Sequence, residues 1–135
     1  MTFLVDANVL CEGMKPRPHQ TVMKWLGQYE EEIVVDPIIL GEVRNGVLKL
    51  PHGRRRREIE AWFEIGVRRI VCLPWDASTA MIWADLLAKL RRAGREMAMK
   101  DSMIAATALV HRLTLVTRNE RDFARAGVRI LNPFE

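Results

Sequence analysis

A chain of 135 residues, 49% of them hydrophobic, is long enough for one domain with its own core and too short for two, so a single domain over residues 1–135 is expected. No apolar run approaches the roughly 20 residues that cross a bilayer, and MTFLVDANVL reaches Asp6 before a signal-peptide core could form; a membrane role is excluded and the cytoplasm is the expected compartment. Lys and Arg number 21 against 17 Asp and Glu, a net charge of +4 that favours a polyanionic partner without identifying it.

Phe3-Leu4-Val5 reads as a buried strand that stops at Asp6, with Asp6-Ala7-Asn8 turning into a helix. Pro16 and Pro18 punctuate a loop, after which Val22, Trp25, Leu26 and Tyr29 share one helical face. Ile33-Val34-Val35 is a β-branched run suited to a strand covered on both sides, and Asp36-Pro37 supplies a cap and a first-turn proline for the helix that carries Glu42. The pattern breaks at Leu50-Pro51-His52-Gly53. Ile59, Trp62, Phe63 and Val67 then mark a helix beginning in Arg54-Arg55-Arg56-Arg57. Ile70 to Leu73 is a third apolar run, and Asp76 caps a helix with Ala80, Trp83, Leu86, Leu87 and Leu90 on its face and Gly94 at its stop. Asp101 starts a helix whose small residues, Ala105, Ala106 and Ala108, allow it to lie close to a sheet; Leu113–Thr117 and Val128–Leu131 are the last strands. Strands alternating with helices, without hairpin signals, make this an α/β chain around a largely parallel sheet. Cys11 and Cys72 lack CxxC spacing and read as buried free thiols in a reducing compartment.

In open parallel sheets ligands gather beyond the carboxyl ends of the strands. Asp6 follows the first strand, Glu42 lies in the helix after the second, Asp101 begins a helix, and Asp122 lies shortly after Thr117. All four can converge on one sheet edge, where mutual repulsion would raise their pKa values unless a cation neutralised them. Carboxylates without accompanying His or Cys ligands suit Mg²⁺ or Mn²⁺, and such ions act on phosphodiesters. Taken singly, each acid has a plainer reading: Asp6, Asp101 or Asp122 as a cap or turn residue, Glu42 as a surface residue paired with Arg44 or Asn45. Asp36, Asp76 and Asp85 are assigned to caps or the surface.

At these residues the sequence resembles the PIN-domain family, in particular its VapC-type toxins. The matching pieces are Val5-Asp6-Ala7-Asn8, Glu42-Val43, the run Asp101-Ser102-Met103-Ile104-Ala105-Ala106-Thr107-Ala108, the run Leu115 to Phe123 with Thr117, Asn119 and Asp122, and Asn132-Pro133. The resemblance spans essentially the whole chain. It implies a three-layer α/β/α sandwich with a central, largely parallel sheet, and a Mg²⁺- or Mn²⁺-dependent ribonuclease acting as the toxin of a toxin–antitoxin pair. It also implies a homodimer, inhibition by a VapB-type antitoxin, and DNA contact only through that antitoxin. By residue, it places metal binding and catalysis on Asp6, Glu42 and Asp101, with Asp122 as the fourth acid, and support on Asn8, Thr117 and Asn119. Lys100 departs from the small or apolar residue usual in the family; it is either a surface ion-pair partner or, with Arg118, a contact for the substrate phosphate.

Two other readings compete. One is a non-catalytic nucleic-acid-binding or regulatory subunit whose acidic pocket receives an antitoxin arginine. The other, a phosphatase or phospho-acceptor, lacks the expected second acid near Asp6, since Ala7 and Asn8 follow it. No phosphate-binding glycine motif occurs. Among the tryptophans only Trp75 falls off an apolar helix face and is a candidate stacking platform for RNA, while part of the Arg54–Arg57 run would guide the strand in.

Overall fold

The computed structural model describes residues 2–135. Three short apolar runs become central strands because each is only three residues long and buried: β1 (Phe3–Val5), β2 (Ile33–Val35) and β4 (Thr114–Val116). The edges are β3 (Val71–Cys72) and β5 (Arg129–Leu131), giving the order β3-β2-β1-β4-β5. Every pairing is parallel, with Leu4 beside both Val34 and Leu115. Parallel neighbours require crossovers, and these are the helices α1 (Ala7–Leu10), α2 (Gln20–Gln28), α3 (Pro37–Leu48), α4 (Arg54–Ile65), α5 (Ala77–Arg92), α6 (Met99–His111) and α7 (Glu120–Phe123). The chain builds outward from β1 through β2 to β3, then returns to build β4 and β5 on the other side. Right-handed crossovers therefore put helices on both faces of the sheet, the expected α/β/α arrangement.

Leu4, Val5, Val34, Val35, Leu115 and Val116 sit at the centre of the core, with Ile39, Val43 and Val47 of α3 and Ile104, Ala105 and Ala108 of α6 closing over them. Local signals act as their chemistry demands. Asp36 accepts the Ile39 N–H and caps α3, Asp76 accepts the Thr79 N–H and caps α5, and Gly94, at φ +66°, ends α5 as its N–H and that of Arg95 reach back to Arg91 and Leu90. Gly13 is held to a hydrogen side chain by packing, since a Cβ there would lie 2.9 Å from the Trp62 indole nitrogen.

Two expectations need correction, and two candidate RNA contacts have partners within the fold. The third apolar run forms a two-residue edge strand that nothing covers, so Val71 is 56% exposed and Cys72 is an exposed thiol, while Cys11 is half-buried. Helix α6 begins at Met99, with Asp101 in its first turn and not at its start. Trp75 is half-buried and anchored: its indole N–H donates to the Met103 carbonyl at 3.0 Å and its ring meets Trp83 edge to face. In the arginine run, Arg54 and Arg56 pair with Glu58 and Glu60 one turn on and Arg55 bonds the Met14 carbonyl, while the Arg54 side chain stays 88% exposed. Helix α7 escaped the sequence reading because four residues are too few to show a period.

Candidate active site

Strand order reverses around β1, with β2 and then β3 on one side and β4 then β5 on the other. The chains leaving β1 and β4 run in opposite directions, and it is at the carboxyl ends of such a pair that the switch-point rule expects a crevice. Asp6 and Thr117 are the first residues past those ends.

Asp6 is only 5% exposed, and each of its oxygens is occupied. Oδ1 accepts the Ala7 N–H at 2.8 Å, capping α1; Oδ2 accepts the Thr117 hydroxyl at 2.8 Å and the Asn8 amide at 3.2 Å. Asn8 also donates to Thr117 Oγ1 at 3.2 Å and accepts the Arg118 N–H at 3.1 Å, while the Asn119 N–H donates to Thr117 Oγ1 at 3.1 Å. The result is a closed network across the crevice that fixes the Asp6 carboxyl in one orientation. Asn8, Thr117 and the Asn119 backbone all touch it or its immediate partner.

Burial, with a further push from the charges of Glu42 and Asp101, raises the Asp6 carboxyl from its usual 3.8 to about 6, despite the hydrogen bonds from Thr117 and Ala7 that favour the anion. Asp101 is raised by its own burial and then by Asp122 and Glu42, with Lys100 acting the other way. Asp6, just past β1, Glu42 of α3 and Asp101 of α6 thus act on one another's charge, and Asp122 of α7 joins them through Asp101. Cys11, in the 3-10 turn after α1, lies in the same field. Burial and the charges of Glu42 and Asp6 push its thiol up to about 11.

Glu42 is not paired with Arg44 or Asn45. Its Oε2 lies 2.9 Å from Lys100 Nζ, and its Oε1 is buried with no hydrogen-bond partner. The ion pair thus sits within the cluster. Arg118 holds its guanidinium 4.5 Å over the Phe134 ring, beside an open hollow of about 770 Å³ that Asn119, Asp122 and Asn132 help to line. Phe134 drew no attention in the sequence because an isolated aromatic near a chain end has no pattern to betray it. Glu12, also overlooked, is buried outside the cluster; it pairs with Lys15 and accepts the His19 N–H, pinning the loop before α2.

Among the described residues no three Asp, Glu, His or Cys side chains are disposed to enclose a metal ion as they lie. The donor chemistry nevertheless fits Mg²⁺ or Mn²⁺. Such ions take one or two protein carboxylates and complete their shell with water and substrate oxygens, so no closed cage is required. An unpartnered Glu42 oxygen and a carboxyl whose ionisation is opposed by neighbouring acids are both relieved by added positive charge.

A family model described as PIN domain matches residues 3–128. Toxin FitB of Neisseria gonorrhoeae is 33% identical to this chain, with 97% of each covered. The VapC ribonuclease Y4jK of Sinorhizobium fredii is 32% identical, covering 98% of this chain and 97% of its own. Among solved structures, FitAB bound to an IR36 DNA fragment superposes with a TM-score of 0.89 at 31% identity, covering 99% of this chain and 96% of that one.

Proposed function

Because this chain belongs to the PIN-domain family, we propose that it is the toxin of a toxin–antitoxin pair, a single nuclease domain that hydrolyses RNA phosphodiesters at a carboxylate site holding Mg²⁺ or Mn²⁺. The nuclease and toxin assignments are supported by near-full-length relatives named as a toxin and as a ribonuclease. The observation that carries the site is Asp6: a buried carboxylate, locked by Thr117 and Asn8 and crowded by further acids at the sheet's switch point.

Asp6, Glu42 and Asp101, with Asp122, would hold one or two ions that supply Lewis acidity toward water and toward the phosphodiester oxygens. The chain's own contribution is orientation. Thr117 and Asn8 fix the Asp6 carboxyl so that it need not reorganise, and Asn119 holds the Thr117 hydroxyl from the other side. Asp101, in the first turn of α6, has its negative charge favoured by the helix N-terminus. Arg118, on the rim, is available to a substrate phosphate once it leaves the Phe134 ring.

The superpositions on FitAB bound to DNA and on DNA-bound VapBC of Salmonella typhimurium support an antitoxin of the VapB type as partner and DNA contact through that antitoxin; homodimerisation belongs to the same reading and rests on the family resemblance alone. No helix among the described residues is long and apolar enough to cross a membrane, which accords with a cytoplasmic site of action. Cleavage of total cellular RNA by the purified protein tests the reading. Cutting should require Mg²⁺ or Mn²⁺, stop with EDTA and be lost in Asp101→Asn; RNA left intact with both metals, or cut equally by the variant, would overturn it.

A further inference from the structure

Five ion pairs occur among the described residues, and four join side chains three or four residues apart: Lys15 with Glu12, Arg54 and Arg55 with Glu58, and Arg56 with Glu60. The fifth differs in kind. Lys100, in the first turn of α6, reaches across to Glu42 in the middle of α3, Nζ to Oε2 at 2.9 Å. A cation in the first turn faces the positive end of its own helix dipole, so α6 gives Lys100 no local reason to be there. The acids do: besides Glu42, the charges of Asp101 and Asp6 act on its ammonium.

The pair is asymmetric. The Lys100 side chain is 56% exposed and the Glu42 side chain 24%, so the ammonium can swing into water on its flexible stem at little cost, whereas the carboxylate stays. One oxygen of Glu42 is held by Lys100 and the other is buried without a partner. A partly exposed pair of this kind is weak enough for a doubly charged ion to displace.

We propose that Lys100 is a displaceable counter-cation, which holds Glu42 and offsets the cluster's charge before a divalent ion enters, and which competes with that ion for the carboxylate. This inference rests on the metal reading above. Lys100 is therefore a positioning residue that sets how much metal the protein needs.

Mn²⁺ binding to the full chain, measured by calorimetry without RNA and by melting temperature against Mn²⁺ concentration, tests it on wild type, Lys100→Met and Lys100→Arg. Lys100→Met should bind Mn²⁺ about three- to tenfold more tightly, melt lower than wild type without metal, and gain more from saturating Mn²⁺. Lys100→Arg, which keeps the charge, should bind within about twofold of wild type. Equal or weaker Mn²⁺ binding by folded Lys100→Met overturns the inference and leaves the metal reading standing. No Mn²⁺ binding by any of the three proteins overturns both.

Discussion

Asp6 and Asp36 end neighbouring parallel strands and are dressed almost alike. Each caps the helix that follows, each accepts a backbone N–H at 2.8 Å on Oδ1, and each accepts a threonine hydroxyl on Oδ2, Thr117 at 2.8 Å and Thr107 at 2.7 Å. Burial raises the pKa of both. Their surroundings separate them. Asp36 is 0% exposed, sealed between β2, α3 and α6, and starts a twelve-residue helix; Asp6 starts one of four residues, at the switch point, and where Asp36 feels the charge of Glu42, Asp6 feels those of Glu42 and Asp101 together. The same local motif is a structural staple in one place and the floor of a reactive site in the other, and only what stands opposite decides which.

The largest stability effect should therefore fall on Asp36. Asp36→Ala removes the cap of a long helix and leaves the buried Thr107 hydroxyl only its long 3.5 Å bond to the Met103 carbonyl, a loss of about 2–4 kcal/mol by urea denaturation. Asp6→Ala also deprives the buried Thr117 hydroxyl of its acceptor, but it caps only one turn of helix and relieves repulsion, so it should cost less, about 1–2 kcal/mol. Equal losses would mean that Asp6 is a staple as well. The threonines should follow the same order. Thr107→Val leaves Asp36 Oδ2 without its donor and should cost about 1–3 kcal/mol, while Thr117→Val leaves Asp6 the Asn8 amide and should cost about 1 kcal/mol.

Proton linkage gives a smaller effect of definite sign. A carboxyl that titrates near 6 when folded and near 3.8 when unfolded holds its proton more tightly in the folded chain. Stability falls as pH rises through that window, and the cost is complete above it. Asp6→Asn should flatten this slope in metal-free protein and be more stable than wild type at pH 8. A slope unchanged by the substitution would remove Asp6 as its source. Smallest of all, Trp75→Phe should cost about 0.5–1.5 kcal/mol for the lost bond to Met103 and leave RNA affinity unchanged; weakened RNA binding would restore Trp75 as a stacking platform.

Much of the fold is legible in the sequence where the physics is local. Ile33-Val34-Val35, Asp36-Pro37, Gly94 and the alanines of α6 each specify their conformation from neighbours along the chain. What escapes notice joins distant segments. Nothing near Lys100 names Glu42 as its partner, nothing near Asp36 foretells Thr107, and the exposure of Cys72 depends on β3 falling at an edge. The four acids could be singled out by position after strands and by family resemblance, but of the hydrogen bonds that distinguish Asp6 from an ordinary cap only that from Asn8 is local, and the shorter comes from Thr117, just past β4.

The most direct measurement is the single-turnover cleavage rate of one RNA substrate at saturating Mn²⁺ for wild type, Asp6→Asn and Asp36→Asn, each first shown to be folded. Asp6→Asn should slow cleavage by about a thousandfold or more, the scale of several kcal/mol of lost transition-state stabilisation, and Asp36→Asn should stay within about tenfold of wild type. Wild-type cleavage by Asp6→Asn, or equal losses in the two variants, would contradict the account.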